Sequence, residues 1–183
     1  MKLIPLSKNG KHAGKYFAQV DDEDYEYLMQ FNWFADIKKW GVYAKRNTWE
    51  KVSKKRGHKA MQNEIMNPPK GMVVDHIDHN PSNNQKNNLR ICTPKQNSQN
   101  RAPLKKQTSS KYIGVQWAKR NHKHKLRFGE LKTYCHGYWV ARVKADKKEY
   151  HLGYFKDENE AAIAYNKKAI ELFGEFANLN VIE

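Results

Sequence analysis

The stretch Val73-Val74-Asp75-His76-Ile77-Asp78-His79-Asn80-Pro81-Ser82-Asn83-Asn84-Gln85-Lys86-Asn87-Asn88-Leu89-Arg90-Ile91-Cys92-Thr93-Pro94-Lys95-Gln96-Asn97 decides how this chain is read. Residues 72–76 form a β-favouring run, the Asn, Pro and Ser cluster after them a loop, and residues 89–92 a returning strand. Thr93 is placed to cap a helix. Pro94 takes its first position and Gln96 follows the cap by three residues, the spacing of a capping box with a favourable proline. Asn97 then lies in the first helical turn. The order strand, strand, helix can bring Asp75 and His76, on one strand, close to Asn97 on the packed helix. The product is an oxygen-rich corner beside an imidazole.

Phosphodiester hydrolysis needs that pair. A hard divalent ion, Mg²⁺ or Mn²⁺, polarises the scissile phosphate and prefers carboxylate and amide oxygens with several retained waters. Asp75 and Asn97 suit that role. Histidine titrates near neutral pH, so a neutral His76 positioned by a hydrogen bond can take the proton from an attacking water. The Asn88 amide is suited to tie the loop to the strand and orient the histidine. His79 reads as a solvent-facing loop residue rather than an additional ligand. The competing reading is a polar hairpin and capped helix that merely pack, with Asp and Asn present because turns favour them. The adjacent Asp-His pair and the capped Asn97 favour a site, because they place ligand and base together.

Composition points the same way. The chain has 183 residues, enough for one ordinary domain or two small ones, and a formal net charge of +15. Such a charge favours a polyanionic partner through phosphate neutralisation and counterion release, and nucleic acid leads. No apolar run approaches the roughly 20 residues needed to span a bilayer. The N-terminal segment turns polar after Pro5, before an export signal's apolar core could form, so the chain reads as intracellular. Cys92 and Cys135 are its two cysteines and form no CxxC pair, which sets aside a disulfide framework and a thiolate zinc ribbon.

Upstream, short apolar runs such as Tyr16-Phe17-Ala18-Gln19-Val20 and Gly41-Val42-Tyr43-Ala44 alternate with turn residues and read as small strands. A short helix is expected over 22–31, and Trp33, Phe34 and Trp40 are expected in the core. Downstream, residues 101–110 read as a linker. Three β-favouring stretches (112–117, 138–143 and 149–155) precede a helix over 157–174, capped by Asp157, with Glu160 three residues on and Gly174 as terminator. The basic insertion 121–132, between the first two of these strands, reads as a long hairpin loop. Period-two spacing puts Arg142 and Lys144 on one sheet face and Trp139, Ala141 and Val143 on the other.

The residues DHID, NN, NNLR, T-P and QN resemble the HNH nuclease motif of phage and intron homing endonucleases, in an H-N-N variant formed by His76, Asn88 and Asn97. The resemblance implies that His76 is the general base, that Asp75 and Asn97 bind one Mg²⁺, and that Asn88 supports the histidine. Two positions depart from the pattern. Met61-Gln62-Asn63-Glu64 stands where relatives often read Met-His-Arg-Glu, and His79 stands where they often have glycine. From Ser110 to Asn180 the chain resembles the Apetala or ethylene-responsive-factor type of DNA-binding domain, on Gly114-Val115, Trp139-Val140-Ala141-Arg142-Val143, Leu152-Gly153-Tyr154-Phe155 and Ala177-Asn178-Leu179-Asn180. Such domains lay a three-stranded sheet in the major groove, and matching the contact positions implies Gln116, Arg142, Lys144, Glu149 and His151.

The expectation is an α+β protein: an N-terminal α+β region (1–58), a ββα-metal nuclease (59–101), a linker (102–110) and a three-stranded antiparallel sheet packed on one helix (111–180). Its expected function is Mg²⁺- or Mn²⁺-dependent cleavage of double-stranded DNA. The alternative is a DNA-binding regulator with an inactive HNH fold.

Overall fold

A computed structural model of the protein describes residues 1–7, 10–50, 54–100, 109–125 and 131–182; the side chains of Glu50 and of residues 120–136 lie outside that description. The fold is α+β, and the chain divides into two compact units, Met1–Ser98 and Gln99–Glu183.

In the first unit, β1 (Lys2–Leu6) and β2 (Tyr16–Val20) form an antiparallel pair, followed by α1 (Asp22–Met29). Alternation aims Ile4, Leu6, Ala18 and Val20 inward, where they join Leu28, Trp33, Ala44 and Met61 in one core. A second antiparallel sheet follows in the order β3 (Trp33–Lys38), β4 (Gly41–Glu50), β5 (Lys55–Ala60), and α2 (Met61–Met66) closes on it. Glu64 on α2 locks this junction: it accepts from Tyr27 Oη (2.8 Å) and Arg46 Nε (2.9 Å) and pairs with Lys59 (3.4 Å). Trp33 is buried as expected. Trp40 is not, at 53% exposed, because the tight turn between β3 and β4 carries it out to solvent.

The decisive stretch folds as β6 (Val73–His76), a crossing (77–88) that ends in the 3-10 turn Lys86–Asn88, β7 (Leu89–Cys92) and α3 (Pro94–Gln99). The capping box is reciprocal, with Thr93 N–H donating to Gln96 Oε1 (2.9 Å) and Gln96 N–H to Thr93 Oγ1 (3.2 Å). Elements far away in sequence hold the crossing. Gln19 N–H donates to the Ser82 carbonyl and Asn84 N–H to the Gln19 carbonyl, both at 2.8 Å. Asp21, at the start of α1, spends its carboxylate on this loop, accepting from Gln85 Nε2 (2.9 Å) and Lys86 N–H (2.8 Å). Ser82 Oγ donates to the Val42 carbonyl, and Gly41 leaves the space that Pro81 fills.

The second unit is an antiparallel sheet in the order β10 (Lys148–Phe155), β9 (Leu131–Ala145), β8 (Val115–Lys125), packed on α4 (Glu158–Phe173). The basic insertion therefore lengthens β8 and β9 on either side of residues 126–130, which lie outside the described residues, as does most of the expected linker (101–108). Asp146 and Lys147, both at positive φ, form the two-residue turn that favours a hairpin between β9 and β10. Asp157 accepts from Asn159 N–H and Glu160 N–H at the head of α4, and Gly174 (φ 55) ends it. Tyr112, Val115, Ala141, Val143, Ala161, Ala162, Tyr165 and Ala169 form the core between sheet and helix. The Asn180 side chain returns the tail to the sheet, bonding both Ile113 N–H (2.6 Å) and the Ile113 carbonyl (3.1 Å).

Candidate active site and nucleic-acid face

The last two residues of β6 are the candidate ligand and the candidate base. Asp75 and His76 are 6% and 8% exposed. In the β6–β7 register Asp75 lies opposite Arg90 and His76 opposite Leu89. The Arg90 guanidinium reaches across the pair and places both Nε (3.0 Å) and Nη2 (2.8 Å) on Asp75 Oδ2. Arg90 was missing from the sequence reading because only the register reveals its partner.

His76 Nε2 lies 3.4 Å from Oδ1 of Asn84, a residue with no solvent exposure. Asn84 Nδ2 donates to the Pro81 carbonyl (3.3 Å), so its oxygen is the end turned to the ring. That orientation selects the tautomer with its proton on Nε2 and its lone pair on Nδ1. Burial holds the His76 pKa below its ordinary value, against the opposing pull of the Asn84 hydrogen bond and of the Asp78 and Asp75 charges. At neutral pH the ring is therefore a neutral base. Tyr43 packs edge-on against it, with ring centroids 6.5 Å apart.

Asn88 works on the loop. Its Oδ1 accepts from Asp78 N–H (3.0 Å), while its Nδ2 donates to Asp78 Oδ1 (2.9 Å) and to the Asn83 carbonyl (2.9 Å). Asp78 is the hub, also accepting from Asn80 N–H (2.8 Å) and Asn83 Nδ2 (2.8 Å). Burial alone would raise its pKa; these bonds outweigh burial and hold it below the ordinary value. His79 is exposed and adopts φ 61, the left-handed conformation that favours glycine, which explains the glycine expected there.

Asn97 enters α3 with its N–H on the Thr93 carbonyl (3.0 Å). Cys92 links it to Asp75: the thiol accepts a hydrogen bond from the Asn97 backbone and feels the Asp75 charge. Burial first, and that charge second, push the thiol pKa up, so Cys92 stays protonated and is no thiolate ligand. A carboxylate such as that of Asp75 and an amide such as that of Asn97 are the kinds of donor that a hard ion such as Mg²⁺ or Mn²⁺ prefers. Among the described residues no group of three or more His, Cys, Asp or Glu could enclose a metal. Such a corner suits an ion that keeps its waters and takes substrate phosphate.

Asn84 yields a direct prediction. Its hydrogen bond favours the protonated ring, so Asn84→Ala should lower the His76 pKa still further and destabilise the first unit by about 1–3 kcal/mol, the cost of a buried donor left without an acceptor. Imidazole NMR titration measures the first effect. A raised or unmoved pKa would show that Asn84 does not hold the ring.

In the second unit, Gln116, Arg142, Lys144, Glu149 and His151 share one sheet face, since Glu149 pairs in register with Lys144, His151 with Arg142 and Gln116 with Val140. Glu149 bridges Arg142 (3.2 Å) and Lys144 (3.0 Å), and the hydrogen bond from Lys144, with both cationic charges, holds its pKa below the ordinary value. Tyr138 and Tyr154, overlooked in the sequence, stack edge-on at 4.7 Å on the same face, and Tyr154 stands 4.7 Å from His151. Counting by twos from Arg142 finds Tyr138; the bulge between His151 and Gly153 hides Tyr154.

A match to a known protein family falls on the first of these two sites. Residues 66–99, which contain β6, the loop, β7 and α3, match the HNH endonuclease family. A protein of Acanthamoeba polyphaga mimivirus described as an uncharacterized HNH endonuclease is 37% identical over 115 residues, covering 63% of this chain and 50% of that relative. This chain thus spans about half the length of the mimivirus protein. Protein 3.8 of Escherichia phage T7 is 32% identical over 109 residues, covering 60% of this chain and 76% of that protein. No solved structure matches. No helix among the described residues is long and apolar enough to cross a membrane. With the match centred on the strand-loop-strand-helix that carries Asp75, His76, Asn88 and Asn97, the chain belongs to the HNH endonuclease family.

Proposed function

We propose that this chain is a divalent-metal-dependent DNA endonuclease of the homing type, with its catalytic centre in the first unit and an Apetala-type duplex-binding module in the second. The observation that carries this reading is the buried, neutral His76, oriented by Asn84 and adjacent to Asp75. In this mechanism Nδ1 of His76 takes the proton from a water attacking the scissile phosphorus. Asn88 keeps the loop folded through Asp78 and so keeps His76 in place. Asp75 and Asn97 would hold the metal, and when bound the ion supplies stabilising charge to the phosphate and the leaving oxygen. Conversion of supercoiled plasmid to nicked or linear forms with Mg²⁺ or Mn²⁺, abolished by EDTA, tests the reading. Duplex binding without scission under either ion would replace it with the regulator that retains an HNH fold. The Arg90 pair on Asp75 is the observation that favours that second reading.

The sheet face of the second unit supplies affinity and placement. Its cations are partly neutralised by Glu149. Glu149→Gln should therefore tighten duplex binding and steepen the fall of log affinity with log salt by about one to two, as Arg142 and Lys144 turn to phosphate. Fluorescence anisotropy across a salt series measures this. An unchanged slope would take the face away from the DNA.

A further inference from the structure

Asp75 is the single carboxylate among the residues assigned to the metal corner, and the structure shows it already paired. Both Nε and Nη2 of Arg90 sit on Oδ2, at 3.0 and 2.8 Å, and the two side chains are 7% and 13% exposed. The pair spans one register position of β6 and β7. Asp78, the next acid along the chain, gives its oxygens to Asn80, Asn83 and Asn88. Asn97 contributes no charge.

We infer that Arg90 keeps the metal corner electrically neutral, so that the divalent ion is recruited together with DNA and not by the free protein. The inference rests on the endonuclease reading above. Affinity for a hard cation rises with the number of charged oxygen ligands, and an ion of this class binds readily through one or two protein ligands plus substrate phosphate. Here the protein offers a neutralised carboxylate and an amide, and the missing negative charge arrives on the scissile phosphate. Metal and DNA then bind with positive coupling, each raising the affinity of the other by the same factor. A free protein that carries no metal at this corner also carries no armed site between encounters with DNA. Arg90 acts through Asp75 and is a positioning residue.

The test reads bound Mn²⁺ by electron paramagnetic resonance, without reference to cleavage. His76→Ala protein, intact and folded, is titrated with Mn²⁺ alone and with plasmid DNA in excess, and the same plasmid with the Asp75→Asn, His76→Ala double variant sets the background bound by phosphates. Mn²⁺ should bind the free protein weakly and tighten by about tenfold or more over that background with DNA. Adding Arg90→Gln should tighten Mn²⁺ binding to the DNA-free protein by about tenfold, whereas Arg90→Lys, which retains the charge, should leave it weak. If Arg90→Gln fails to fold, the comparison with and without DNA and the Arg90→Lys variant still decide. Tight Mn²⁺ binding by the DNA-free protein, or equal affinity in the Gln and Lys variants, overturns the inference while leaving the endonuclease reading in place. Mn²⁺ that binds at Asp75 in no condition overturns both.

Discussion

Replacing His76 by alanine should lower the rate of plasmid cleavage by about 10²–10⁴-fold, the range that a positioned general base contributes. The expectation follows from where the ring sits. It is 8% exposed, its Nε2 faces a buried Asn84 oxygen, and burial lowers its pKa, so the neutral form persists below the ordinary value of about 6.5. The acid limb of the cleavage profile should accordingly lie below pH 6.5. A limb above it would mean that another group supplies the base. Stability follows from the same shift. Between the unfolded and folded pKa values the unfolded chain binds the proton more readily, so the stability present above about pH 6.5 is lost as pH falls toward the folded value. His76→Ala should remove this component of the acid destabilisation while circular dichroism shows the fold retained. A variant that loses its fold would instead assign His76 to packing.

Gly114→Ala should destabilise the second unit by about 3 kcal/mol, combining a strained left-handed backbone with overpacking. Gly114 has φ +71, and a methyl group there would run into the Tyr165 ring and the Arg142 carbonyl oxygen. Neither neighbour can yield cheaply. Tyr165 is a core residue of α4, and the Arg142 N–H in turn donates to the Gly114 carbonyl at 2.8 Å. Gly174→Ala is the control, since its φ is +55 and nothing lies within 4 Å of the added carbon. It should cost about 1–2 kcal/mol, the backbone term alone for a sparsely populated conformation at φ 55 and ψ −131. Urea unfolding of the two variants separates the effects, with a midpoint shift of more than about 1 M for Gly114→Ala. Equal costs would show that close approach to Tyr165 is not what requires glycine.

Much of the local architecture is written in short-range chemistry. The Thr93-Pro94-Gln96 box and the Asp157 and Gly174 caps act within one helical turn, so neighbouring residues suffice to define them. Period-two alternation likewise places Arg142 and Lys144 opposite Ala141 and Val143 without knowledge of any partner strand. Asp75, His76, Asn88 and Asn97 could be named as candidates because their spacing is itself local. Their surroundings could not. Arg90 meets Asp75 only when the crossing between β6 and β7 closes with one particular register, and Asn84 meets His76 only because β2 and Asp21 pin that crossing from more than 60 residues away. Trp40 was expected inside because indole burial is the general rule, yet a two-residue turn carries it outward. Sequence alone reads the basic insertion 121–132 as a loop because charge obscures strand periodicity, while pairing between β8 and β9 extends both strands into it. Side-chain type and local spacing therefore suffice to nominate candidate groups. Their protonation, charge balance and orientation arise from contacts that exist only once distant segments are packed, because burial and hydrogen-bond partners are properties of the folded surroundings and not of neighbours along the chain.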